Sequence, residues 1–134
     1  MKSLRLCVAV ALVAMVGGAS ASAQTSTSVV PRGTYAFVPD SGYGGPDVSE
    51  LTITFGEDNI MVVTAPDGSL IVKSRLSFEV GVMTLNDFEG TNVCQVAGKY
   101  RVVGDVKTFK LALVDDGCPD RSAIVPALKW VRQG

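Results

Sequence analysis

From Gly33 onward, apolar and polar residues alternate with period two in short runs broken by turn residues. That spacing is the pattern of strands with one buried face. The first run, 34–38, carries Tyr35 and Phe37 on one face, and the second, 50–55, sets Leu51, Ile53 and Phe55 against Thr52 and Thr54. A third run covers 59–64, and a long fourth, 69–78, puts Leu70, Val72, Leu76 and Phe78 on one face together with Ser74. Runs at 82–87, 94–103, 108–114 and 127–132 follow. They direct Met83 and Leu85, then Val96, Tyr100 and Val102, then Phe109, Leu111 and Leu113, and finally Trp130 to the same side. Pro66-Asp67-Gly68, Val80-Gly81 and Gly104-Asp105 mark turns. No window sustains a helical period, so the expectation is an all-β chain of about eight strands.

Short connections favour sequential antiparallel neighbours. One apolar face per strand then predicts a small antiparallel up-and-down meander barrel, with a two-sheet sandwich as the alternative. Cys94 and Cys118 are equidistant in sequence from residue 106, beside the Gly104-Asp105 turn. They are therefore expected to form a disulfide across the open end of that hairpin.

The N-terminus changes the picture of where this barrel works. Lys2 and Arg5 precede an apolar stretch from Leu6 to Gly17, and Ala21-Ser22-Ala23 forms a small-x-small site. This predicts a signal peptide over 1–23, cleaved near Ala23, and a secreted or periplasmic product. Residues 24–32 read as a flexible lead-in and 33–134 as the domain. No second apolar stretch approaches membrane-spanning length, so no stable membrane insertion is expected. The 12 Lys+Arg nearly balance 13 Asp+Glu, which argues against a nucleic-acid partner. The chain has no histidine, the commonest metal ligand and general base at neutral pH. No metal, cofactor or enzymatic activity is expected on these grounds.

Gly33-Thr34-Tyr35 resembles the Gly-x-Trp opening of lipocalins, with Tyr in place of Trp. The stretches Cys94 to Tyr100 and Leu111 to Arg121, followed by Trp130, are similar to short exported lipocalin-like domains of bacteria. The chain departs from longer lipocalins in its length, in having no Thr-Asp-Tyr motif and in lacking a following helix pattern. The resemblance implies an eight-stranded calycin-type barrel that binds a small apolar molecule.

Two arrangements of the interior are compatible with the residues. Small Ser74 and Gly98 on the inner face leave room for a pocket lined by Tyr35, Phe37, Ser74, Gly98, Tyr100, Phe109 and Trp130, with phenol groups to orient a polar head. Alternatively the core is filled, Gly98 marks a bulge and Ser74 bonds a neighbour. The leading functional expectation is a binding protein for a small hydrophobic ligand. The alternative is an interaction module, such as an exported protease or lysozyme inhibitor, or an envelope scaffold. In that case the Gly-rich loop Pro39 to Val48, with Tyr43 exposed, contacts a protein partner. Asp115, Asp116 and Asp120 read as a solvated turn, with Arg121 pairing locally or with an acidic neighbour; either Arg121 or Arg132 is a candidate to pack over Tyr35. Lys73, Arg75, Lys99, Arg101 and Lys110 read as a basic stripe on the outer wall, a solubilising face or a dock for an acidic partner or anionic headgroups.

Overall fold

The structure is a computed structural model that describes residues 29–134. The expected signal peptide, its cleavage near Ala23 and the first part of the lead-in lie outside the described residues. Eight strands follow one another: β1 Gly33–Pro39, β2 Thr52–Phe55, β3 Ile60–Thr64, β4 Leu70–Glu79, β5 Val82–Gly90, β6 Gly98–Gly104, β7 Thr108–Asp116 and β8 Leu128–Arg132. Each pairs antiparallel with its neighbour in sequence, and β1 closes on β8 through a register running from Tyr35↔Arg132 to Pro39↔Leu128. The sheet is therefore a closed meander barrel and not a sandwich. Closure pairs every strand edge.

The barrel has two unlike ends. At one, tight turns join β2 to β3, β4 to β5 and β6 to β7. In the β4–β5 turn both central residues, Val80 and Gly81, have positive φ (46° and 79°), the signature of a type I′ turn. Glycine meets this without strain, but a β-branched valine there costs about 1–2 kcal/mol. At the other end lie the loop 40–51, the loop 91–97 and a short helix, α1 Pro119–Ile124, which runs through a 3-10 turn Val125–Ala127 into β8.

The helix corrects the expectation of a chain without one. Pro119 occupies its first turn, where a missing N–H costs nothing. Six residues are too few to display a hydrophobic period. The sixth strand is also shorter than its alternation implied. Residues 94–97 leave the ladder because their backbone serves side chains: Cys94 N–H donates to Asp87 Oδ2 (3.0 Å), and the Val96 carbonyl accepts from Arg121 Nη2 (2.6 Å). Val96, expected inside, is 48% exposed.

Besides a register shift between β3 and β4 at Thr64, bulges in β7 and β5 decide which side chains face inward around Asp116 and Asp87. In β7, Tyr100 opposes Leu113 but Lys99 opposes Asp115, so Val114 is an extra residue. Leu113, expected inside, is 50% exposed, and Asp116 returns to the interior. In β5, Ser74 opposes Asp87 but Lys73 opposes Glu89. Phe88 is squeezed outward, where the Arg75 guanidinium lies 4.7 Å from its ring centre.

Candidate functional site

The seven residues of the expected pocket fall into two groups. Tyr35, Phe37, Phe109 and Trp130 join Phe55 in one aromatic cluster. Tyr35 meets Phe55 edge-on with ring centres 5.3 Å apart, Phe37 meets Trp130 at 4.7 Å, and Phe109 stacks on Trp130 at 5.4 Å. Such offset and T-shaped geometries are the favourable ones for rings. The Tyr35 hydroxyl does not point into a cavity, because it donates to the Val106 carbonyl in the β6–β7 turn. Burial raises the Tyr35 phenol above its ordinary pKa, against the opposing pull of Arg132.

Ser74, Gly98 and Tyr100 sit toward the long-loop end, around charge. Arg121, carried by α1, reaches into the barrel between Asp116 at the end of β7 and Asp87 on β5. Its side chain is 8% exposed, and those of Asp116 and Asp87 are 0% and 4%. Arg121 Nε donates to Asp116 Oδ2 at 2.6 Å and Nη2 to Asp116 Oδ1 at 2.9 Å, a bidentate fork. Tyr100 donates its hydroxyl proton to Asp116 Oδ2, and the Cys118 N–H donates to Oδ1 at 2.9 Å. Asp87 accepts from Ser74 Oγ at 2.5 Å and from the Cys94 N–H, with Arg121 Nη1 3.0 Å from its Oδ2. That last contact is ionic without hydrogen-bond alignment.

Gly98 explains its own identity. A Cβ there would stand 2.5 Å from Asp116 Oδ2 and 2.8 Å from Arg121 Nη2. The room that small residues leave on this face is occupied by the chain's own ion pair. Cys94 and Cys118 are disulfide-bonded. Each half-cystine's own N–H caps one of the two carboxylates, so the bridge ties both donors together.

The titration shifts follow from these contacts. Desolvation pushes the Asp116 carboxyl upward, but Arg121, Tyr100 and the Cys118 N–H outweigh it and hold the group below its usual value. Burial and the hydrogen bond to Asp116 both raise the Tyr100 phenol. Desolvation opposes the Arg121 charge, and Asp116 and Asp87 overcome it. With its lone pairs taken by four donors, Asp116 has no free position for proton transfer or metal ligation. Among the described residues no group of three or more His, Cys, Asp or Glu is placed to hold a metal ion.

Two hollows on the outside of the barrel bear on the loop and the outer wall. One, of about 350 Å3, lies between Gly42–Gly45 and Ala123, Ile124 and Ala127 beside α1. The loop's feet are fixed: Asp40 N–H donates to the Ala127 carbonyl at 2.9 Å, Lys110 pairs with the Asp40 carboxylate, and Val48 is buried in the core. Its crest is bare, since a Cβ at Gly42 or Gly44 would meet nothing within 4 Å. Tyr43 folds back and donates to the Pro46 carbonyl at 2.7 Å, over a Gly45 whose Cβ would stand 2.6 Å from the phenol oxygen. The second hollow, about 430 Å3, lies on the outer wall of β5–β7 and includes Val80, Val82, Lys99, Arg101 and Val114.

The expected basic stripe is divided. Lys73 lies 3.6 Å from Glu89, Arg75 stacks on Phe88, and Lys110 pairs with Asp40. Lys99 and Arg101 are exposed and make no ion pair among the described residues.

Comparison with protein-family models, with curated proteins and with solved structures finds no match for this chain.

The sequence reading missed Asp87 and placed Asp116 in a solvated turn. A signal was present in each case: Ser74 lies on an otherwise apolar face, and Asp116 and Arg121 bracket a half-cystine. Neither signal shows on which face an acid falls when a bulge intervenes.

Proposed function

We propose that this chain is an exported interaction module, a lipocalin-like barrel with a filled interior that binds a protein partner through the Gly-rich loop Pro39 to Val48. One observation carries the reading. The interior positions at which small residues leave room are taken up by Arg121, Asp116 and Asp87, while an apolar hollow remains outside, behind the loop. The anchored feet confine the entropy lost on binding to the glycine crest, because the base of the loop is already ordered. In this reading the crest enters a concave partner surface, such as the substrate cleft of a protease or lysozyme. Ala123 and Ile124 then receive an apolar side chain of the partner. The leading sequence expectation, a small hydrophobic ligand, moves to the same hollow, whose volume of about 350 Å3 is at the lower end of ligand-site sizes.

The test compares the oxidised exported chain with a variant lacking residues 41–45. Inhibition of a protease or lysozyme that disappears with the deletion, at unchanged melting temperature, supports the proposal. In native mass spectrometry, a releasable adduct retained after incubation with fatty acids and isoprenoids would replace it with the small-ligand reading.

A further inference from the structure

Cys94 and Cys118 both lie outside the strands, Cys94 in the loop before β6 and Cys118 directly before α1. The hydrogen-bonded ladder of the barrel therefore does not include the bridge. What hangs on Cys118 is α1. Its first turn begins at the half-cystine, whose carbonyl accepts the Ser122 N–H at 2.9 Å. No residue of the helix is buried as a whole. It meets the barrel through the Arg121 side chain and through Ile124, which is half-buried against the core.

A six-residue helix has no stability of its own in water. The ions add little net hold, because the attraction of Arg121 for Asp116 and Asp87 is largely offset by the desolvation of all three. They lie at the long-loop end beneath α1, so withdrawal of the helix returns the whole set to water and leaves no single charge buried alone. The covalent link from Cys118 to the Cys94 loop opposes that withdrawal. Its effect extends to the outer hollow, whose wall includes Ala123, Ile124 and Ala127. The Ala127 carbonyl in turn holds the foot of the Gly-rich loop through the Asp40 N–H. Both half-cystines are half-buried, and their neighbours Gln95, Val96, Gly117 and Pro119 are exposed, so an external thiolate has access.

We infer that the Cys94–Cys118 bridge is a reducible latch: its reduction releases α1 and the foot of the Gly-rich loop while the barrel stays closed. The reductant is a protein dithiol. One of its thiolates attacks a half-cystine sulfur, and the other half-cystine sulfur leaves with the bonding pair and takes up a proton. The second thiolate of the dithiol then breaks the mixed disulfide. The dithiol ends as a disulfide, and the chain has gained two electrons and two protons as two thiols. Loss of partner binding on reduction rests on the reading of the loop given above; the release of α1 does not.

Hydrogen exchange read by mass spectrometry on the oxidised chain, with and without dithiothreitol, tests the latch. Amides of 119–127 and 40–45 should exchange at least about tenfold faster after reduction, while β1 to β5 keep their protection and the Trp130 fluorescence is unchanged. The double variant Cys94→Ser, Cys118→Ser should match the reduced chain and ignore dithiothreitol. If the parent inhibits a protease or lysozyme, the double variant should inhibit it about tenfold more weakly. A parent that inhibits neither removes the loop reading, and the exchange result still decides the latch. Unchanged exchange at 119–127 on reduction, or loss of protection throughout the barrel, overturns the proposal.

Discussion

In the short-turn half of the barrel interior, Tyr35, Phe55, Phe109 and Trp130 meet ring to ring. In the long-loop half, Arg121 lies between Asp116 and Asp87, with Tyr100 and Ser74 completing the contacts. Both halves are largely shielded from water, the aromatic one more completely, yet their physics differs. The aromatic half is stabilised by area and shape, which tolerate adjustment. The charged half is stabilised only as a closed set, because desolvation of each ion is offset by partners that must all be present. Several irregular features of the fold gather around the second half: the bulges in β5 and β7, the glycine at position 98, the disulfide and α1. Regular alternation can bury rings without help, but it cannot bring two acids and an arginine to one point.

The largest effect should come from breaking the charged set. Arg121→Leu leaves two buried carboxylates unpaired and should lower stability by about 3–5 kcal/mol in urea unfolding. Cys94→Ser with Cys118→Ser frees both capping N–H groups and a closed loop of separation 24. The chain-entropy cost is about 3.5 kcal/mol as an upper figure, measured the same way under non-reducing conditions. Phe109→Leu in the aromatic half should cost less, about 1–2 kcal/mol, because neighbouring rings can settle into the space. If Phe109→Leu proved costlier than Arg121→Leu, the contrast between the halves would be wrong.

The pH dependence sharpens the same contrast. The folded Asp116 carboxyl is held below its ordinary value of 3.8. Its stabilisation is therefore present above that pH and is lost as pH falls through the depressed folded value. The Tyr100 phenol is raised above 10.0, so its contribution is complete below that pH and is lost as pH rises toward the folded value. In Arg121→Leu, desolvation of Asp116 loses its main opponent and the folded carboxyl rises. That variant should gain stability on acidification toward pH 3.8, the reverse of the parent. Phe109→Leu should keep the parent's slope, as melting temperatures across the acid range would show. The smallest effect is expected outside the barrel, where Val80→Asn should raise stability by about 1 kcal/mol.

How much of this could be read in advance depends on the residue. Ile53, Phe55, Met83 and Leu85 lie inside as their alternation implied, because nothing interrupts the pairing of β2 or the first half of β5. The Cys94–Cys118 pairing was legible because the two cysteines flank the Gly104-Asp105 turn at nearly equal distance, although Cys94 itself lies outside the β6 ladder. Leu113 and Asp116 were misassigned for one shared reason: an extra residue in β7 reverses the faces beyond it, and alternation carries no mark of a bulge. α1 was hidden because a helix of less than two turns, pinned by one arginine, needs no amphipathic period of its own.

The sequence by itself determined the strands, their order and the bridge, since these depend on period, turn chemistry and chain proximity, all of them local. Only the tertiary structure decided what fills the barrel. Whether Gly98 and Ser74 leave a void or accommodate an ion pair depends on side chains 18 to 23 residues from Gly98 and 13 from Ser74, brought there by bulges, a disulfide and a helix. Burying a charge becomes favourable only once every partner has arrived.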